Sequence, residues 1–216
     1  MPRRVIKLGG SLLEYGELAG ELRRWLGAQS QAQNLLIVGG GAMADAVRQA
    51  DQLHGLCETT AHWLCVRAMG VNSLLVAALL PEAAYATSLN DLDAADRQAH
   101  LSIMDPWCFL HEEEPRCAAT PLPQSWDATS DSIAAQLAVI WRAAELVLLK
   151  SALPHEPASI ATASAAGYVD RYFPRVAVDV PTIRCVNLRQ REFPEVTLRA
   201  AKEAFILGKP SAQTGP

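Results

Sequence analysis

The chain has 216 residues, half of them hydrophobic, and a formal net charge of -4. That balance excludes a basic nucleic-acid footprint and points to a small-molecule partner, and the length is that of one large domain with a sizeable core. The five cysteines (Cys57, Cys65, Cys108, Cys117, Cys185) are odd in number and show no C-x-x-C spacing, so they read as reduced thiols of a cytoplasmic protein.

The N-terminal run is basic, but Lys7 and glycines break the apolar stretch behind it at once, so it does not read as a signal peptide. The longest uninterrupted apolar run, 74–80, is too short to span a membrane. Val5-Ile6-Lys7-Leu8-Gly9-Gly10-Ser11 reads as a buried strand ending in a tight turn. Leu18, Leu22, Trp25 and Leu26 recur at helical spacing and predict an amphipathic helix over 17–28. A continuous apolar strand over 35–38 then runs into Gly39-Gly40-Gly41 and a helix over 42–53. This alternation predicts an α/β fold with right-handed crossovers, in which ligands sit at the carboxyl ends of the strands.

Residues 59–80 are apolar around most of a helix's circumference, which predicts a buried helix broken near Gly70 and a surface for a homodimer. The pattern weakens over 81–124: a short polar helix is expected at 91–100 and a strand at 101–104. Glu112-Glu113-Glu114-Pro115 reads there as a solvated connection without function. A helix over 132–142 is expected to be capped by Ser130 or Thr129. The strand 145–150 ends in a lysine, Pro154, His155 and Pro157 interrupt the segment behind it, and a small-residue helix or loop runs through Gly167. A last strand is expected at 182–186 and a last helix at 195–206. Residues 208–216 read as a disordered tail behind a single domain, 1–207.

The chain has four lysines against fifteen arginines, and two of the four, Lys7 and Lys150, end strands, where a compact point charge suits a phosphoryl group. The other reading is a strand whose lysine snorkels and whose glycines merely turn. Gly39-Gly40-Gly41, between a strand and a helix N-terminus, offers an anion site or simply a tight turn under a packed helix. Its spacing is neither that of a P-loop nor that of a dinucleotide fingerprint. Asp131, in the first turn of its helix, is either an ordinary capping residue or a clamp for both lysines. His62 lies on the long apolar helix as a core histidine or a ligand contact. The remaining histidines show no metal spacing, so no metal site is expected.

Lys7-Leu8-Gly9-Gly10-Ser11, Ile37-Val38-Gly39-Gly40-Gly41 and Thr129-Ser130-Asp131-Ser132 resemble, in order, the motifs of the amino acid kinase family, which includes aspartokinases, acetylglutamate kinases, uridylate kinases and isopentenyl phosphate kinases. Within it the chain is similar to the (aminomethyl)furanylmethyl phosphate kinases of methanofuran biosynthesis and their bacterial relatives in tetrahydromethanopterin and methylofuran pathways. That narrower likeness rests on the run from Gly39 to Arg48 with Asp51, on His62, on Ser125-Trp126, and on Val169-Asp170-Arg171-Tyr172-Phe173-Pro174.

The resemblance implies a three-layer α/β/α sandwich with a mostly parallel sheet, a homodimer or larger assembly, and transfer from ATP with Mg2+ to a phosphate monoester. It implies that Lys7 binds the transferring phosphoryl group and that Gly9, Gly10 and Ser11, with Lys150 and Ser151, meet the nucleotide. Gly39, Gly40 and Gly41 would hold the acceptor's anion, with His62, Thr129, Ser130 and Asp170 nearby, and Asp131 would orient the lysines. One segment departs from the family pattern. Where many relatives have a Thr-Asp-x-Asp-Gly turn, this chain has Lys150-Ser151-Ala152-Leu153-Pro154, and the following Gly-Gly-Met segment with its lysine is missing. Three functions therefore stay open: this kinase, a carboxylate or carbamate kinase making an acyl phosphate, and a non-catalytic ligand-binding protein.

Overall fold

A computed structural model describes residues 1–95, 100–155 and 158–199. Its strands are β1 (Arg3–Leu8), β2 (Gln33–Val38), β3 (Ala84–Ala86), β4 (Leu101–Met104), β5 (Glu145–Lys150), β6 (Ile183–Asn187) and β7 (Glu195–Thr197). They form one sheet in the order β3-β4-β2-β1-β5-β6-β7, parallel except for β7 at the edge. The helices are α1 (Leu18–Gly27), α2 (Gly41–His54), α3 (Glu58–Leu79), α4 (Leu89–Ala95), α5 (Pro106–Cys108), α6 (Glu114–Cys117), α7 (Ser130–Ile140), α8 (Ile160–Ala165) and α9 (Phe173–Ala177).

Side chains alternate across the sheet into two cores. Val5, Leu35, Ile37, Leu146 and Leu148 pack with Ile133 and Leu137 of α7 and Phe173 of α9. Ile6, Leu8, Leu36, Val38, Val147 and Leu149 pack with Leu18, Leu22 and Trp25 of α1. Strands covered on both faces need no polar side, which is why 35–38 and 145–149 read as unbroken apolar runs. The expected three-layer α/β/α sandwich is therefore the one that forms. β2, β4 and β3 lie on one side of β1, and β5, β6 and β7 on the other. The chain thus reverses its direction of growth between β1 and β5, the place in an open α/β sheet where a crevice opens at the carboxyl ends. Leu8 is level with both Val38 and Leu149, so β1, β2 and β5 release their loops at one height.

Several expectations give way. α3 runs unbroken through Gly70, and it is not buried all round: Leu64, Val71, Leu74, Leu75 and Leu79 keep 42–57% of their surface exposed. By length and composition α3 is apolar enough to cross a membrane, but its inner side carries His62, Val66, Met69, Asn72 and Val76 into the body of the fold. β3 has three residues, too few to show a period in the sequence. Of the polar helix expected over 91–100, α4 accounts for the first part, and 96–99 lie outside the described residues.

Glu112-Glu113-Glu114 is not a solvated connection. It lies in a π-helical turn (Phe109–Glu113) and the start of α6, and Glu114 is buried against the Leu122 amide and Gln136. The helix expected over 132–142 begins earlier, at Ser130, and ends at Ile140. The small-residue segment before Gly167 contains α8, started by a reciprocal capping box between Ser159 and Thr162. Where a helix was expected from Glu195, β7 instead pairs antiparallel with β6 and closes its open edge. Residues 200–216, including the expected tail, lie outside the described residues.

Candidate active site

Lys7 is the fifth residue of β1 and Lys150 the last of β5, on neighbouring strands. Both ammonium groups converge on Asp131 in the first turn of α7. Lys7 Nζ lies 2.9 Å from Asp131 Oδ1, and Lys150 Nζ lies 3.0 Å from Oδ2. Lys7 and Asp131 are each 5% exposed. Burial alone would raise the Asp131 carboxyl, but the two lysines outweigh it and hold the group below the usual carboxylate value. Burial likewise lowers the Lys150 ammonium, with Asp131 opposing. Lys150 also donates to the Tyr168 carbonyl and sits 4.4 Å from the centre of that ring. Two ammonium groups against one carboxylate leave one net positive charge beside a groove of about 710 Å³.

The helix that carries Asp131 is fixed from outside itself. Thr129 occupies the cap position of α7, yet its side chain does not cap the helix. The Asp170 carboxylate does so instead: Oδ2 accepts from the Thr129 and Ser132 amides at 3.0 Å each and from Thr129 Oγ1 at 2.9 Å. Its Oδ1 accepts from Ser132 Oγ and from the Phe173 amide. A distant carboxylate thus satisfies the orphan donors of the helix end and the negative charge suits its dipole. With both oxygens so occupied, Asp170 lines the groove and at the same time staples the start of α7.

The glycines divide the work differently from the expectation. The Gly9 and Gly39 amides donate to the Leu149 and Leu8 carbonyls at 2.8 and 2.9 Å, prolonging the sheet by one rung, so neither is free for a phosphate. Gly10 and Gly41 touch backbone to backbone. A Cβ on Gly10 would stand 2.1 Å from the Gly41 nitrogen, and Gly41 has φ +50°. Asn72 of α3 clamps the same loop, donating to the Gly39 and Gly40 carbonyls at 2.9 and 2.8 Å.

Above this floor the N-terminus of α2 faces a cavity of about 240 Å³. Gly10, Ser11, Gly40, Gly41 and His62 line it, and Trp126, whose indole donates to Asp51 at 2.9 Å, forms a wall. Arg48 pairs with Asp45 and lies 5.1 Å from the Trp126 ring. Arg48, Trp126, Thr129 and Ser130 line this cavity and the lysine groove alike, so the two spaces meet.

Of the residues expected to carry chemistry, Lys7, Asp131, Lys150 and Asp170 line the groove, Gly10, Ser11, Gly40, Gly41 and His62 the cavity, and Thr129 and Ser130 both, whereas Gly9, Gly39 and Ser151 line neither. Ser11 and Ser151 face each other with their hydroxyls 3.2 Å apart. Burial pushes the His62 imidazole below its usual value, with a hydrogen bond to the Ser125 main chain opposing. Cys65 also lines the cavity, and burial pushes its thiol up to about 11, which keeps it protonated and inert. No group of three or more metal-binding side chains occurs among the described residues. Arg48, Trp126, Asn72 and Tyr168 were not singled out as site residues from the sequence. For Arg48 a signal existed: Gly41, Ala44 and Arg48 fall on one helical face. Asn72 announced itself only as an amide in an apolar run, and Tyr168 not at all.

A mostly parallel α/β/α sheet thus carries, at its switch point, two lysines on one carboxylate next to a glycine-lined helix N-terminus. A model of the amino acid kinase family matches residues 2–152, and the chain belongs to that family. No curated protein matches the sequence. Among solved structures, the uridylate kinase from Archaeoglobus fulgidus superposes with a TM-score of 0.59 at 16% identity, over 94% of this chain and 93% of that one. The UMP kinase from Bacillus anthracis gives 0.60 at 14% over 88% of each chain, and that from Ureaplasma parvum 0.60 at 14% over 89% and 92%. At these identities the likeness is one of fold.

Proposed function

We propose that the protein is a small-molecule kinase that transfers the γ-phosphoryl group of MgATP to a phosphate monoester. The observation that carries this reading is the pair of ammonium groups on Asp131, set in a groove continuous with the glycine-lined cavity. Phosphoryl transfer asks for in-line positioning and charge neutralisation more than for covalent help from the protein. Lys7 and Lys150 supply neutralisation at the groove, and Asp131 fixes both. The α2 N-terminus and Arg48 supply an anion seat in the cavity, which suits an acceptor that already bears a phosphate. When bound, MgATP brings the phosphoryl group and the metal's charge. The net positive charge of the lysine groove fits its polyphosphate, and Mg2+ bound mainly through phosphates and water asks few ligands of the protein.

Within this class the acceptor we favour is an (aminomethyl)furanylmethyl phosphate of one-carbon cofactor biosynthesis, on the motif likeness around Arg48, His62 and Trp126. The test is ADP release with that compound, with UMP, with other phosphate monoesters and with carboxylates. Turnover with the furan phosphate above all others supports the full reading; turnover with carboxylates alone replaces it with an acyl-phosphate kinase. The apolar outer stripe of α3 supports a homodimer joined through that helix.

A second reading, a non-catalytic ligand-binding protein, is favoured by one feature. The family match ends at residue 152, where Ser151-Ala152-Leu153-Pro154 replaces the nucleotide turn. Calorimetry with MgATP separates the two: no binding, with or without acceptor, selects the second.

A further inference from the structure

Lys150 is held by more than its carboxylate. Its ammonium group shares Asp131 with Lys7, so two like charges meet on one partner, and Lys7 works against the charge on Lys150. A lysine so placed can also swing its four-carbon stem outward along the groove and put its charge in water. Lys150 does not: its side chain is 15% exposed. Tyr168 accounts for the difference twice over. Its main-chain carbonyl accepts a hydrogen bond from Lys150 Nζ, and its ring centre lies 4.4 Å from the same nitrogen. Both are neutral groups that stabilise a cation without cancelling its charge.

The same residue holds the backbone into which Lys150 leads. Tyr168 Oη donates to the Ala152 carbonyl at 3.2 Å. Burial pushes the phenol above its usual value, so the hydroxyl keeps that proton. Ala152 belongs to Ser151-Ala152-Leu153-Pro154, the segment in which this chain departs from the family pattern. Tyr168 is itself fixed from both sides. Its amide donates to the Ala163 carbonyl at 2.9 Å, Gly167 before it takes φ +69°, and Asp170 two residues on staples the start of α7. One short segment thus fixes Lys150 through Tyr168 and Asp131 through Asp170.

We propose that Tyr168 is the positioning residue of Lys150: its carbonyl and ring face keep the second ammonium group beside the first, and its hydroxyl pins the turn behind it. One carboxylate then suffices for two lysines, and the groove keeps its net positive charge because neither group of Tyr168 neutralises one. This deepens the kinase reading and rests on it for the effect on rate, whereas the position of Lys150 is testable without turnover.

The experiment compares the wild type with Tyr168→Leu, which keeps the carbonyl but removes ring and hydroxyl, and with Tyr168→Phe, which keeps the ring. Labelling with 13C at lysine gives few signals, since the chain has four lysines, and Lys150→Arg assigns the one in question. In the ligand-free protein the Lys150 side-chain protons are expected upfield of the ordinary lysine position, moved by the ring current. That displacement should persist in Tyr168→Phe and vanish in Tyr168→Leu. With MgATP and the better of (aminomethyl)furanylmethyl phosphate and UMP, Tyr168→Leu should lose about tenfold in kcat, the worth of one cation–π contact to a largely buried ammonium group, with acceptor KM within about twofold of the wild type. Tyr168→Phe should recover most of that loss. Undisplaced Lys150 protons in the wild type overturn the proposal, as does a displacement that survives Tyr168→Leu. A Tyr168→Leu protein that melts lower but turns over at the wild-type rate makes Tyr168 a packing residue and overturns it too. Should Tyr168→Leu fail to fold, the wild-type displacement and its persistence in Tyr168→Phe still decide. A protein without turnover whose Lys150 signal follows the ring keeps the positioning role and loses the reaction; an active kinase whose signal ignores the ring does the reverse.

Discussion

Lys7 and Asp131 form a buried ion pair, 2.9 Å from Nζ to Oδ1, between the central strand and the first turn of α7. Because Asp131 also holds Lys150, removing Lys7 leaves a balanced pair behind rather than an isolated charge. Lys7→Ala is therefore expected to fold with a near wild-type melting temperature and to lose at least about 100-fold in kcat, the scale of a deleted electrostatic contact to a transition state. Steady-state kinetics beside thermal melting checks both halves, and wild-type turnover in the variant would sink the proposed mechanism.

Asp131→Asn should behave in the opposite way. Two buried ammonium groups then face each other without their carboxylate, at a cost of about 3–5 kcal/mol. Denaturant unfolding of this variant beside Lys7→Ala measures the asymmetry. Equal stability in the two would show that the lysines do not depend on Asp131.

Asp170→Ala distinguishes the staple from a substrate contact. It removes one acceptor from the Thr129, Ser132 and Phe173 amides at once, so a loss of about 3 kcal/mol is expected, with kcat falling as the start of α7 loosens. A variant of full stability with only a raised acceptor KM would make Asp170 a binding residue after all.

Lys150 gives a pH dependence. Its folded ammonium titrates below the ordinary 10.5 because it is buried. Between the two values the folded protein has released a proton that the unfolded chain keeps, so in that window Lys150 itself raises stability with pH while the groove loses a positive charge. The expected result is kcat/KM falling on the alkaline side below pH 10.5, with no loss of melting temperature traceable to this group. Parallel pH profiles of rate and melting, on wild type and Lys150→Arg, read it directly.

Leu74 is 57% exposed on the outer stripe of α3. If copies associate there, Leu74→Glu converts a dimer to a monomer in light scattering, while the stability of the protomer moves by no more than about 0.5 kcal/mol. Unchanged mass would locate the interface elsewhere.

The parts of this protein that were legible in the sequence are those set by local chemistry. β1, β2 and β5 announced themselves as apolar runs, and Lys7, the glycines and Asp131 each stood at the boundary of such a run. What was not legible depends on partners far along the chain. Glu114 looks like one of three solvated acids until Leu122 and Gln136 are seen on it. Asp170 shows nothing in its own segment of the amides of Thr129 and Ser132, far earlier in the chain, that lie on its oxygens. The segment at Glu195 reads as a helix because three residues say little about period, and the open edge of β6 decided the outcome.

One helix carries the exposed apolar stripe and borders the glycine-lined cavity as well. α3 offers Leu74 to the outside, holds the floor of the glycine-lined cavity through Asn72, and places His62 on its wall. A helix is stiff along its axis, so a neighbour pressing on its outer stripe pushes on the glycine loop through the same rod. Were copies to associate on that stripe, their contact and the glycine-lined cavity would be joined by one rigid element, with no loop between them.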